Sequence, residues 1–272
     1  MAAQPEGGGS SPFRDLKPST SITVARSPAL LIGKGWSALP EDQPGNSDTT
    51  PKPFVTRTLH RFGQDQAEIF AAPFRRSNIK WDVLFAASEG ALIPFDEQIE
   101  RGLPTTHLNL SHNIGNAMIA SMGVASAAVW LTGIKTGNAH ARETGNLEIE
   151  ALANTFTVYT LMQLIAGRQR PDEGTGEGSF LRNHSVNTSY PGGHVMFTFA
   201  MATVIAHEYP KRWVQILSYG AATTIGAARF TGRNHFASDV FAGGILGYFI
   251  GTHIFHSRCK VGLSSACSRG EP

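Results

Sequence analysis

Five stretches of this chain contain no Asp, Glu, Lys or Arg: residues 110–134, 151–167, 185–206, 213–228 and 240–257. Each holds an apolar run too long for an ordinary strand, so each predicts a helix. Helices this poor in charge must bury their sides against one another or against lipid. Charged residues make up 16% of the chain, against about 25% in ordinary globular proteins. Residues 113–134 and 240–257 have the length to cross a bilayer, which takes about 20 residues. Gly, Ser, Thr, Asn and His dilute both, and mean hydropathy is −0.12, depressed by a polar first segment. The fold class expected is all-α, a bundle of about five to six core helices. A multi-pass membrane protein is expected, with a soluble or peripheral periplasmic bundle as the alternative.

Punctuation divides the rest. Residues 1–57 are rich in Gly, Pro, Ser and Thr and read as a disordered or loosely packed leader. Residues 1–48 lack the basic start and continuous apolar run of a secretory signal. Residues 64–72 and 81–92 look like short helices, and the helical domain is expected over 58–258. Asn146 resembles a helix start, Pro191-Gly192-Gly193 opens a helix, Pro210 separates two, and Ser238 can cap the last. The tail, 259–272, contains the chain's two cysteines, Cys259 and Cys267, which are no disulfide framework and read as two free thiols, with a tail disulfide or metal site as the alternative. A formal net charge of +2 gives no broad basic field, so no nucleic-acid partner is expected.

Three short pieces carry chemistry. Gly167-Arg168-Gln169-Arg170-Pro171 closes one helix and Tyr190-Pro191-Gly192-Gly193-His194 opens the next. The third piece is Arg229, then five residues, His235, three residues, and Asp239. Up-and-down alternation of the last four helices brings Arg170, His194, Arg229, His235 and Asp239 to one end of a bundle. Two guanidiniums there suit phosphate oxygens. The Gly192-Gly193-His194 turn offers N–H groups at a helix N-terminus. Asp239, four residues after His235, can take the Nδ1 proton and leave Nε2 electron-rich as a nucleophile. His194 can protonate a leaving oxygen. Each group has a blander reading, as a helix cap, a helix-start hydrogen bond or a solvated loop charge; joint placement favours function. Arg168, Arg182, Arg233 and His184 lie near the pocket in sequence and either widen its positive mouth or are solvated. No metal is expected, because the arginines repel a cation. The small-residue run Gly243-Gly244, Gly247 and Gly251 predicts close helix packing.

In this order and spacing the pieces resemble the type 2 phosphatidic acid phosphatase and vanadium-dependent haloperoxidase superfamily, over about residues 60–257. Its pattern is Lys, six residues, Arg-Pro; then Pro-Ser-Gly-His; then Ser-Arg, five residues, His, three residues, Asp. Arg170-Pro171, Pro191, Gly193-His194, Arg229, His235 and Asp239 match it. Gln163 stands where the pattern has Lys, Gly192 where it has the motif Ser, and Ala228 where Ser precedes Arg229. The resemblance implies an all-α bundle, a phosphohistidine intermediate and no cofactor, vanadate entering only on the haloperoxidase alternative.

The expected activity is therefore hydrolysis of a phosphomonoester or diphosphate, a phosphorylated lipid or small molecule, at an extracytoplasmic active site. His235, His194 and Asp239 are the expected catalytic residues, and Arg170, Arg229, Gly192, Gly193 and Gln163 the expected phosphate ligands. The Gln163 and Gly192 departures predict weakened activity, which restoring Lys and Ser should raise. The rivals are a haloperoxidase and a decayed pocket that binds a phosphorylated ligand without turnover.

Overall fold

The computed structural model describes residues 54–267, with side chains from residue 58. Residues 1–53 of the expected leader lie outside the described residues, and 54–57 open the first helix. Eight α-helices follow among the described residues: α1 Phe54–Ala71, α2 Ile79–Leu92, α3 Asp96–Arg101, α4 Leu108–Thr136, α5 Ala139–Ala166, α6 Gly193–Glu208, α7 Arg212–Thr231 and α8 Ala237–Arg258. Five of them, α4 to α8, contain most of the charge-free stretches and form the bundle.

Helix α6 is the axis, packed against α5, α7 and most extensively α8. The small-residue run explains the last contact. A Cβ at Gly247 would lie 2.2 Å from the Met196 carbonyl oxygen, and one at Gly251 would lie 2.6 Å from that of Ala200. Only hydrogen at those positions lets the two backbones touch. Leu147, Ala151, Val158, Met196, Ala200, Val204, Ile250 and Ile254 fill the core beside this seam, and Met122, Met201, Ala222 and Ile225 fill a second cluster toward α4 and α7.

Several boundaries differ from expectation. Helix α5 starts at Ala139, with the Asn138 side chain capping the Ala141 N–H at 3.1 Å; Asn146 lies inside the helix. A real cap at Asn138 wins over a similar residue in mid-helix because it satisfies an otherwise orphaned donor. Residues 185–192 are not helical, since Pro191 and two glycines disfavour extension backward from α6. Ser238 does not cap α8. Phe236 is the N-cap and Asp239 receives its N–H, while the Ser238 hydroxyl is bound to Arg168 and Asp96. Cys259 and Cys267 form a disulfide, Cα–Cα 5.9 Å, packed against the main core; the free thiols expected from sequence are corrected. The turn after α8 folds the tail back, and spacing alone could not supply that contact.

Helix α4 is the exception to burial. Of its 29 residues only Gly115, Met122 and Gly133 are buried, while Leu110, Ile114, Val124, Val129, Leu131 and Ile134 are exposed. Among the described residues it alone is long and apolar enough to cross a membrane.

Candidate functional site

The C-terminal end of α5, the N-terminal end of α6, the C-terminal end of α7 and the start of α8 meet at one pole of the bundle. His235 precedes α8 and is buried, 2% exposed. Its Nδ1 lies 2.8 Å from the Ser189 carbonyl oxygen. A carbonyl only accepts, so Nδ1 carries the proton and the lone pair of the neutral ring sits on Nε2. His194 lies in the first turn of α6 on the open side.

Electrostatics place the four groups together. Burial and then the Arg170 charge lower His235 to about 3, with His194 and Arg229 adding to the effect and the Ser189 hydrogen bond opposing it. Surrounding protein, then Arg229 and Arg170, lower His194 to about 4. Burial, then Arg170, lowers Arg229. Two imidazoles and two guanidiniums thus share one space, as alternation of the helices predicts.

The arginines are aimed by neutral partners. Arg229 Nη2 donates to Asn116 Oδ1 at 2.6 Å, so α4 enters the site. Arg170 Nη2 donates to Asn187 Oδ1 at 2.8 Å and Nη1 to the Asn234 carbonyl at 3.4 Å. The Nε–H of each is buried and has no acceptor in the protein. Among the described residues, neither guanidinium pairs with a carboxylate. Two unneutralised cations with orphaned donors have the chemistry to hold an anion.

Beneath this mouth lies a saturated floor. Arg168 is 1% exposed and donates through Nη1 to Asp239 Oδ1 at 2.7 Å and Ser238 Oγ at 2.7 Å. Its Nη2 donates to Asp96 Oδ2 at 2.8 Å and its Nε to the Gly178 carbonyl at 3.1 Å. Phe236 and Phe180 cover its guanidinium, with ring centroids at 4.3 and 4.7 Å. Arg168 therefore belongs neither to the positive mouth nor to solvent. Arg182 and His184 are exposed, and Arg233 pairs with Glu100 at 3.2 Å.

Three expected details are corrected. The Asp239 carboxylate does not receive the His235 proton: Oδ2 is 3.9 Å from Nδ1 and instead accepts from Ser189 Oγ at 2.5 Å and Phe236 N at 2.8 Å. Gln163 is fully buried and serves the loop rather than an anion. Its Oε1 accepts from Thr188 N and, at 2.7 Å, from Thr188 Oγ1, while Nε2 donates to the Pro191 carbonyl at 3.1 Å. Gly192 donates its N–H to the Asp239 carbonyl at 2.8 Å, leaving Gly193 and His194 to supply first-turn N–H groups without intrahelical acceptors. A Cβ at Gly192 would sit 2.9 Å from the Asp239 carbonyl oxygen, and one at Gly193 would sit 2.6 Å from the Tyr159 ring.

Sequence reasoning missed Asp96, Asn116, Asn187, Ser189 and the buried role of Arg168. The available signal was Arg168 itself, a charge flanked by nearly charge-free helices, which needs a buried carboxylate partner.

Residues 148–262 match the PAP2 superfamily. A curated relative, lipid A 1-phosphatase of Porphyromonas gingivalis, is 37% identical over 87 residues, 31% of this chain and 17% of the relative's length. A solved structure described as the first transmembrane PAP2 type phosphatidylglycerolphosphate phosphatase, from Bacillus subtilis, aligns with a TM-score of 0.41 at 16% identity. That alignment spans 72% of this chain and 92% of the other. The PAP2 superfamily match is thus confined to residues 148–262, the part of the chain that carries both histidines and both arginines of the mouth.

Proposed function

We propose that this chain is a phosphatase that hydrolyses a lipid-linked phosphomonoester or diphosphate through a phosphohistidine at His235. The observation that carries the reading is the pairing of two orphaned, buried guanidinium Nε–H groups with an imidazole whose Nδ1–H is already engaged. Such a site holds a tetrahedral anion against a nucleophile and stabilises charge on the transferring group.

In the first step His235 Nε2 forms a bond to phosphorus as the bond to the leaving oxygen breaks, and His194 delivers a proton to that oxygen. In the second, water attacks the phosphohistidine and gives a proton to His194. The N–P bond breaks and inorganic phosphate leaves. Arg170 and Arg229 hold the non-bridging oxygens, with the Gly193 and His194 N–H groups completing the cradle.

An apolar groove of about 610 Å³ supports a lipid-linked substrate. Its walls include Val195, Phe230 and Val240, the immediate neighbours of His194, Arg229 and Asp239, and Phe199, Phe241 and Ile245 extend it away from the site. An aliphatic tail fits this chemistry. The relative's printed activity on lipid A is consistent with it. The exposed apolar face of α4 supports a seat for that helix in a bilayer. The Cys259–Cys267 disulfide supports an oxidising, extracytoplasmic compartment for the C-terminal half.

The test is phosphate release by purified full-length protein from a panel of phosphorylated lipids and soluble phosphates, beside His235→Ala. Loss of release by at least about a thousandfold in the variant is expected for a covalent nucleophile. Equal release by both proteins refutes the role of His235, and ligand binding without turnover in either supports a non-catalytic binder.

A further inference from the structure

We propose that Ser189 is a positioning residue that transmits the hold of Asp239 to His235. The inference rests on His235 acting as the nucleophile. Every polar atom of Ser189 is committed. Its carbonyl accepts the His235 Nδ1–H at 2.8 Å, its hydroxyl donates to Asp239 Oδ2 at 2.5 Å, and its N–H donates to the Arg168 carbonyl at 2.8 Å. The residue is fully buried, so water does not compete for these bonds. The Asp239 carboxylate is 3.9 Å from the imidazole, beyond hydrogen-bond reach. Its hydrogen-bonded route to the ring therefore passes through the serine, while its bond from Phe236 N at 2.8 Å holds the backbone beside His235.

Two anchors make this relay stiff. On one side Arg168 binds Asp239 Oδ1 and offers its own carbonyl to Ser189 N, so a single residue fixes both the carboxylate and the serine backbone. Asp96, at the first position of α3, holds the far end of that guanidinium at 2.8 Å and accepts from Ser238 N at 3.0 Å. On the other side Gln163 grips Thr188 and Pro191, the residues bracketing Ser189 and Tyr190. A neutral side chain at 163 thus does positional work on the carbonyl that orients the nucleophile. Carbonyl orientation sets the ring's tilt and its Nε2 direction, a second-layer control that acts on reaction geometry rather than on substrate binding.

The test is a double-mutant cycle with Ser189→Ala and Asp239→Asn in the full-length protein. Each single variant should lower kcat about 10- to 100-fold, the range of a hydrogen bond to a charged group. KM should stay within about twofold, because Arg170 and Arg229 are untouched. The double variant should be no slower than the slower single one, since both changes cut the same relay. Losses that multiply, or an unchanged kcat in Ser189→Ala, overturn the proposal.

A second readout is independent of turnover: the His235 Nδ1–H proton resonance, identified by its absence in His235→Ala. It should move or broaden in Ser189→Ala and equally in Asp239→Asn. A resonance unaffected by Asp239→Asn overturns the relay, and this arm decides the matter if Ser189→Ala does not fold. Failure of the wild-type chain to release phosphate from any substrate would remove the phosphatase reading, while the resonance would still report on the relay.

Discussion

Arg168 and Arg170 stand two residues apart, yet they belong to opposite kinds of site. On the floor, Arg168 is sealed between Asp96 and Asp239 and between two aromatic rings. At the mouth, burial and then the Arg170 charge lower Arg229, and both guanidiniums find only amide and carbonyl oxygens. The floor sets one cation between two carboxylates; the mouth leaves two cations with none. Glu89, on α2, marks the floor's limit: burial, then Asp239 and Asp96, lift its carboxyl to about 7, so a third negative charge is not welcome there. Matched buried charge specifies geometry, and unmatched charge waits for an anion.

The largest expected effect breaks the floor. Arg168→Met leaves two buried carboxylates without a cation and should destabilise the protein by about 3–5 kcal/mol. Arg229→Met, at the mouth, removes one hydrogen bond to a neutral amide oxygen but also relieves repulsion with Arg170. Its stability should change by no more than about 1 kcal/mol, while kcat/KM falls about 10- to 150-fold. Urea unfolding followed by tryptophan fluorescence, set beside phosphate release, checks both. Equal destabilisation by the two variants would erase the distinction between floor and mouth.

How far this contrast could be read from sequence depends on what each residue's position reveals. Charge-free stretches set the long helices, and alternation set the pole where His194, Arg170, Arg229, His235 and Asp239 meet. Those are consequences of periodicity and chain direction, which a sequence carries. Arg168 misled because proximity in sequence to Arg170 says nothing about which way a side chain leaves a non-helical segment. Asp96 and Asn116 contribute across 72 and 113 residues of separation, and nothing local marks either as a partner. Asp239 lies at the pole expected for it, but its contact differs from the one expected. Four residues' separation permits a bond to His235, and only the fold reveals that Ser189 reaches the ring first. The disulfide was missed for a similar reason, since the turn between its cysteines is tertiary.

A smaller effect sharpens the comparison at the seam between the two regions. From the motif alone, Gln163→Lys with Gly192→Ser restores a phosphatase pattern and should raise activity. The structure reverses that expectation. Lysine cannot accept the two Thr188 hydrogen bonds that Gln163 Oε1 receives, and its ammonium would enter a fully buried position. A serine Cβ at 192 would press to 2.9 Å on the Asp239 carbonyl oxygen, where backbone must yield. The pair should cost about 1–3 kcal/mol of stability and lower phosphate release. Increased release at unchanged thermal stability would show that Gln163 faces the anion rather than the loop.

The smallest effect is graded with pH and belongs to the mouth alone. Burial, and then its two cations, hold His194 at about 4 and His235 at about 3, both below the ordinary imidazole value of about 6.5. Each ring is therefore neutral in the free protein from about pH 5 upward. That suits the nucleophile role proposed for His235, and leaves His194 without the proton that the proposed mechanism asks it to donate. The proton has to arrive with the substrate, as the phosphate monoanion, whose second pKa is about 6. Raising the pH above that value removes the proton, so kcat/KM should fall about tenfold per unit, or about 1.4 kcal/mol. Lowering the pH toward 4 protonates His194 before the substrate binds, and toward 3 it protonates His235 and silences the nucleophile. A plateau between about pH 4 and 6 results, measurable as kcat/KM for a phosphomonoester from pH 3 to 8. A profile that instead rises through pH 7 would mean that His194 enters the reaction as a base. The mouth's excess positive charge would then serve a different proton inventory from the one derived for it.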